Sequence, residues 1–136
     1  MKTILFVCVH NSGRSQIAEA FFNRIATGKA LALSAGTQPG DAVNPVVVEA
    51  MREVGFDLSN NKPKKLTVEM LQQAYKVITM GCMTEDACPA TFVETEDWAL
   101  QDPKGRPLTE VRKIRDEIKA RVTKMVEELT SPSPSV

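Results

Sequence analysis

An apolar run, Thr3-Ile4-Leu5-Phe6-Val7, ends at the polar stretch Cys8-Val9-His10-Asn11-Ser12-Gly13-Arg14-Ser15. A helical apolar pattern then begins near Ser15, with Ile17, Phe21 and Ile25 on one stripe and Ala18 and Phe22 beside them. The run is too short to be a helix of its own, so it reads as a buried strand feeding a helix through a short loop. In that arrangement the loop N–H groups and the helix N-terminus converge on one tetrahedral anion. Arg14 adds a planar, permanently charged fork, and the same positive field favours the nucleophilic thiolate of Cys8. A nucleophile at the floor of an anion site points to catalysis. Val9, His10, Asn11, Ser12, Gly13, Arg14 and Ser15 together form the candidate oxyanion-binding loop.

The rest of the chain repeats the alternation. Ala30 to Ala35 resembles a second strand closed by Gly36, and Asn44 is an N-cap before Pro45. Val43, Val46, Val47, Ala50, Met51 and Val54 make the apolar stripe of the helix that follows. A polar, irregular segment runs from Asp57 to Lys65, then a short helix over Thr67–Gln73 and a third strand over Lys76–Met80. Asp97 to Leu100 is expected to be a short fourth strand, and Asp102-Pro103-Lys104-Gly105 a turn. Leu108, Val111, Ile114, Ile118, Val122, Met125 and Leu129 line one face of the last helix.

Strands alternating with helices predict an α/β fold: a short parallel four-stranded sheet with helices on both faces. Ligands of such sheets sit beyond the C-terminal ends of the strands. Cys8, Cys82 and Asp102 each follow an expected strand, which places all three at that one edge.

Composition narrows the class. At 136 residues, 43% apolar and 25% charged, the chain fits a single catalytic domain over residues 1–130, with Ser- and Pro-rich residues 131–136 as a disordered tail. Seventeen Lys+Arg balance seventeen Asp+Glu, so nucleic-acid or membrane binding through bulk charge is not expected, although Lys62, Lys64 and Lys65 form a small basic patch. No apolar run is long enough to span a bilayer, and the first does not end in a cleavage site, so a cytoplasmic location is expected. Three cysteines argue against a structural disulfide framework, and one histidine excludes most His-based metal sites. A zinc set of Cys8, His10, Cys82 and Cys88 has unusual spacing, and Arg14 would repel the cation, so no metal is expected.

Each candidate residue has a plainer reading beside the functional one. Cys8 could be a small core residue, but Gly13 and Arg14 at their positions are hard to explain as core. Cys82 and Cys88 are either inert or a redox pair, and Asp102 is either a turn former or an acid. Asn11 and Ser12 are expected to shape the loop by bonding to backbone, and the His10 ring to point outward. Ser15 could cap the helix, donate to the Cys8 thiolate, or both.

The loop C-x5-R-S, Ser34-Ala35-Gly36-Thr37 and Asp102-Pro103 together resemble the low-molecular-weight tyrosine phosphatase family. Thr79-Met80-Gly81-Cys82, Cys88-Pro89, Trp98 and the Ile114-Arg115-Asp116-Glu117-Ile118 stretch are similar to its thioredoxin-coupled arsenate reductases. That resemblance implies catalytic roles for Cys8, Arg14, Cys82, Cys88 and Asp102. It also implies that arsenate is reduced to arsenite through a Cys8 adduct and a Cys8–Cys82–Cys88 disulfide cascade, without a cofactor, and that a thioredoxin-like reductant resets the enzyme. The segment between Cys82 and Cys88 is expected to rearrange, and its length is one residue shorter than the family pattern. Family members also hold a potassium ion, for which Asn11, Glu19 and Ser34 stand at matching positions, while the Asn60–Lys65 region that would complete the site is lysine-rich.

Two other readings compete. A low-molecular-weight tyrosine phosphatase would use Cys8, Arg14 and Asp102 to hydrolyse phosphate monoesters through a phosphocysteine, leaving Cys82 and Cys88 idle. A phosphocysteine carrier or oxyanion-binding module would need neither those cysteines nor Asp102. The sequence leaves open the reductant, the oligomeric state and the physiological substrate.

Overall fold

A computed structural model describes residues 2–80, 94–98 and 100–130 of the chain. Cys82, Cys88 and the tail at 131–136 lie outside the described residues. Strand β1 (Lys2–Cys8) leads into helix α1 (Arg14–Ile25), strand β2 (Ala30–Gly36) and helix α2 (Pro45–Arg52). Helix α3 (Val68–Gln73), strand β3 (Lys76–Thr79), strand β4 (Glu94–Asp97) and helix α4 (Leu108–Thr130) follow.

The four strands form one parallel sheet in the order β2-β1-β3-β4. Chain order reverses direction at β1, because β2 lies on one side of it and β3 on the other. The C-terminal end of β1 is therefore the topological switch point, where parallel sheets of this kind open a crevice. Cys8 is the last residue of β1 and sits in that crevice.

Strand alternation sorts the core into two layers. Ile4, Phe6 and Cys8 face a large cluster built with Ile17, Phe22, Val47, Met51, Ile118 and Val122 of α1, α2 and α4. Leu5 and Val7 face the other way, onto Ala35, Ala74, Val77 and the α3 side chains Met70 and Leu71. Both faces of β1 are thus covered, which explains why Ile4 to Val7 is an unbroken apolar run. The α4 stripe is realised with Val111, Ile114, Ile118, Val122 and Met125 buried.

Local signals read from the sequence behave as their chemistry requires. Asn44 caps α2 by accepting a hydrogen bond from the Val46 amide at 2.9 Å, with Pro45 opening the helix. Gly28 takes φ +77° just after α1, a left-handed conformation that glycine adopts without a Cβ clash.

The fourth strand departs from expectation. It covers Glu94–Asp97 and stops where the expected strand, Asp97–Leu100, was to begin. Its residues are polar because β4 is an edge strand. Asp97 accepts from the Thr79 hydroxyl at 2.9 Å, and Trp98, the first large apolar residue, already lies beyond the strand and packs against Phe6.

Candidate functional site

Loop 9–13 joins β1 to α1, and its peptides are held in one orientation by the segment after β2. The carbonyls of Cys8, Val9 and His10 accept from the amides of Thr37, Gln38 and Gly40 at 3.3, 2.8 and 2.9 Å. The Ser12 carbonyl accepts from the Asn44 amide at 2.8 Å. All of these peptides are trans, so each turns its N–H opposite to its anchored C=O. The amides of Val9, His10, Asn11 and Gly13 therefore face away from segment 37–44, toward the interior of the loop. Asn11 shows the result directly, since its N–H donates to Cys8 Sγ at 3.2 Å.

Two glycines make this crossing possible. A Cβ on Gly36 would stand 2.6 Å from the Val9 carbonyl oxygen and 2.9 Å from the Asn11 nitrogen, both backbone atoms that cannot retreat. On Gly13 a Cβ would stand 2.7 Å from Pro103 Cγ, so the bare backbone at Gly13 lets the Asp102-Pro103 turn close over the loop.

The sulfur has a second partner in Ser15 Oγ, whose own surroundings are ordered by Asn11. Asn11 Oδ1 accepts from the Lys64 backbone N–H at 2.8 Å, a donor whose identity is not in question. Asn11 Nδ2 must then face Ser15 Oγ, to which it donates at 2.7 Å. The Ser15 hydroxyl keeps its hydrogen for Cys8 Sγ, 2.8 Å away, and toward a thiolate it can only donate. Ser15 does not cap the helix: Gly13 occupies the cap position and α1 has no side-chain cap. Asn11 holds φ +51°, a conformation that Asn tolerates better than most residues.

Arg14 is buried, with 6% of its surface exposed. Its Nη1 donates to the Leu100 carbonyl at 3.1 Å and its Nη2 lies 3.7 Å from Asp102 Oδ2. Among the described residues, no other hydrogen bond engages its guanidinium. The Asp102 turn is set by its own side chain, which accepts from the Lys104 amide at 3.0 Å, and by Gly105 at φ +74°. A groove of about 520 Å³ opens between this turn and the loop, walled by His10, Ser12, Asn44, Pro103 and Lys104. The His10 ring does not simply point outward: its Nδ1 donates to the Gln38 carbonyl at 3.0 Å and keeps the ring on the groove wall.

The structure thus brings Cys8, the loop amides, Ser15, Arg14 and Asp102 to one edge of the sheet. Cys82 and Cys88 fall outside the described residues.

Behind the loop, Gln16 and Lys64 are contributors that the sequence reading missed. Gln16 is buried and donates to Asn11 Oδ1 at 3.1 Å and to the Asn11 carbonyl at 3.2 Å. Lys64 belongs to the small basic patch of Lys62, Lys64 and Lys65. Its Nζ lies 3.6 Å from Glu19 Oε1 and 3.4 Å from Ser34 Oγ. Burial raises the Glu19 pKa, and the charge of Lys64 and the Ser34 hydroxyl act against that rise. Glu19 and Ser34 do gather, as positions for a potassium ion would, but an ammonium from the chain itself stands beside them, and Asn11 is engaged by the Lys64 backbone amide. These residues therefore do not fit a potassium ion. Among the described residues, no group of three or more His, Cys, Asp or Glu side chains is placed to hold a metal.

A sheet with its cysteine-and-arginine loop at the switch point, closed over by an Asp-Pro turn, defines the class: an α/β protein built to hold an oxyanion against a thiol. The chain belongs to the low molecular weight phosphotyrosine protein phosphatase family, which it matches over residues 3–134. It is 37% identical over 123 residues to arsenate reductase 2 of Staphylococcus haemolyticus, covering 89% of this chain and 93% of that protein. Among solved structures it resembles the thioredoxin-dependent arsenate reductase of Corynebacterium glutamicum, with 34% identity and a TM-score of 0.80. That match covers 95% of this chain and spans 62% of the other. It also resembles an arsenate reductase in the phosphate binding state, with 32% identity, a TM-score of 0.83 and coverage of 96% of this chain and 100% of that one.

Proposed function

We propose that this protein is an arsenate reductase in which Cys8 is the nucleophile and Cys82 and Cys88 carry the oxidising equivalents away. The observation that carries the reading is the Cys8 sulfur itself, held by the Asn11 amide and the Ser15 hydroxyl beside a buried Arg14. That arrangement puts the sulfur at the floor of a loop suited to an oxyanion.

In this mechanism arsenate enters by the groove and is held by loop amides and by the free N–H groups of Arg14. The Cys8 thiolate attacks arsenic while Asp102 protonates the departing oxygen, which leaves as water. Cys82 then attacks the Cys8 sulfur. The electron pair of the S–As bond passes to arsenic, arsenite leaves, and a Cys8–Cys82 disulfide forms. Cys88 attacks Cys82, moving the disulfide to Cys82–Cys88 and releasing Cys8 as thiolate. A thioredoxin-like dithiol reduces that disulfide, and a cytoplasmic location, where such reductants operate, follows from this need.

Three features support arsenate over a phosphate ester. Relatives that match most of this chain carry the name arsenate reductase. Cys82 comes three residues after Thr79, the end of β3, and Thr79 pairs with Val7 next to Cys8. Lys104 and Gly105 stand on the groove wall, where a phenyl ring would want aromatic flanks. Arsenate and phosphate share shape and charge, so a residual phosphatase activity accompanies the reading.

The test is arsenate-dependent NADPH oxidation, coupled through thioredoxin and its reductase, on wild type, Cys82→Ser and Cys88→Ser. Turnover by wild type that disappears in both variants supports the three-cysteine reductase. Aryl phosphate hydrolysis that neither substitution changes, with no arsenate turnover, identifies a phosphatase instead.

A further inference from the structure

The loop that cradles Cys8 rests on a second tier of residues, and that tier contains a fixed positive charge. Segment 64–66 is stitched to the end of β2: the Gly36 amide donates to the Lys64 carbonyl at 2.8 Å and the Leu66 amide to the Gly36 carbonyl at 2.9 Å. The Lys64 amide faces Asn11, and its side chain turns back to Glu19 on α1 and Ser34 on β2. Ser34 is fully buried and its hydroxyl donates to Glu19 Oε1 at 3.0 Å, which leaves its lone pairs to the ammonium. Glu19 is mostly buried, with 17% of its side chain exposed, so its charge needs a counter-charge close by.

We propose that Lys64 is a positioning residue that acts as the chain's own cation, its ammonium beside Glu19 and Ser34 standing in for a potassium ion, so that the reactivity of Cys8 depends on Lys64 and not on potassium. The physical route is short. An uncompensated Glu19 carboxylate behind the loop would oppose a second negative charge on the Cys8 sulfur. The ammonium cancels that field and ties segment 64–66 to α1 and β2. The tie keeps the Lys64 amide on Asn11 Oδ1, and with it the order Asn11 Nδ2 to Ser15 Oγ to Cys8 Sγ. Potassium and a primary ammonium carry the same charge in similar volume, so one substitutes for the other without rebuilding the oxygens around it.

This inference rests on Cys8 being the nucleophile of the proposed reaction. Its test reads the thiol without arsenate, so its failure and that of the reductase reading are distinguishable. In a Cys82→Ser/Cys88→Ser parent, Cys8 is the single thiol. The rate of its alkylation by iodoacetamide and the thermal midpoint are measured at fixed pH in potassium, sodium and N-methylglucamine chlorides of equal ionic strength. The parent is expected to show the same rate and midpoint in all three salts. Lys64→Ala keeps the backbone bond to Asn11 but vacates the charge. Its alkylation should slow several-fold in N-methylglucamine and recover selectively in potassium, with a matching rise in midpoint. Glu19→Gln/Lys64→Ala, with neither charge, should be indifferent to the salt. Lys64→Met, which keeps the stem and fills the space, should be slow in every salt. Acceleration or stabilisation of the parent by potassium overturns the proposal. So does a parental rate for Lys64→Ala or Lys64→Met, and so does a slow Lys64→Ala that no salt restores.

Discussion

Arg14 Nη2 and Asp102 Oδ2 lie 3.7 Å apart across the mouth of the loop, one side chain buried and the other nearly half exposed. An incoming oxyanion competes with Asp102 for the same guanidinium, so binding leaves the carboxyl beside a substrate oxygen. The pair therefore couples oxyanion binding at Arg14 to the acid of the proposed reaction. Replacing Asp102 by Asn keeps the shape and removes the proton. Turnover of Asp102→Asn should fall by roughly 10²–10⁴-fold, the usual contribution of a positioned general acid. Affinity for inorganic phosphate, read by calorimetry, should hold or improve because a competing negative charge is gone. Unchanged turnover would remove Asp102 from the chemistry.

Ser15 offers a sharper test of the thiolate. Ser15→Ala removes the hydroxyl that donates to Cys8 Sγ and leaves the Asn11 amide in place. A hydrogen bond to a charged group contributes about 1.5–3 kcal/mol, so Cys8 alkylation at neutral pH should slow by roughly 10- to 100-fold. The thermal midpoint should fall as well, because the substitution leaves the buried Asn11 Nδ2 without its acceptor, at a cost of about 1–3 kcal/mol. An unchanged alkylation rate would mean that the Asn11 amide alone sets the sulfur.

Much of this site could be read before any coordinates. Cys8, Gly13, Arg14 and Ser15 carry their chemistry in their spacing, because a strand, a short loop and a helix leave the intervening amides few places to point. The apolar run of β1 and the Asn44-Pro45 cap were equally legible, being local signals. What stayed hidden is long-range or belongs to the backbone. The Leu100 carbonyl that holds Arg14 has no residue code, and Lys64 looks like any surface lysine until segment 64–66 lies against β2. Strand β4 begins before the expected Asp97 because Glu94, Thr95 and Glu96 show no apolar alternation, whereas an edge strand needs none and Asp97 is matched to Thr79 across it.

Gly13 has a specific task in its contact with Pro103. Gly13→Ala would place a methyl 2.7 Å from Pro103 Cγ. The ring belongs to a turn held mainly by the Lys104 amide bond to Asp102 and by Gly105, so the turn, not the loop, should give way. The expected outcome is a loss of turnover of at least about tenfold, with overpacking costing on the order of 1–3 kcal/mol of stability. Phosphate binding should survive better than turnover, because the loop amides stay and Asp102 moves. Equal losses in both would show that the loop itself had shifted.

Stability at low pH provides a last prediction, and it concerns the wall of the groove. Asn44 and Pro45 line that wall at the start of α2, and the far end of the helix is clamped to α4. Arg112 Nε donates to Glu53 Oε1 at 2.9 Å, and Arg115 Nη1 donates to Glu53 Oε1 at 2.9 Å and to the Ala50 carbonyl at 2.8 Å. The Arg112 hydrogen bond, with that of Arg115 behind it, lowers the Glu53 carboxyl from its ordinary 4.5 to about 2. A carboxyl more acidic in the folded than in the unfolded chain stabilises the fold at pH values above its unfolded pKa. That stabilisation is lost as pH falls through the folded value. Glu53→Gln should therefore melt below wild type at neutral pH. The gap should narrow between about pH 5 and pH 2, where wild type protonates the same group. Parallel melting curves across that range would show that the Arg112 and Arg115 contacts hold α2 to α4 without drawing on the Glu53 charge.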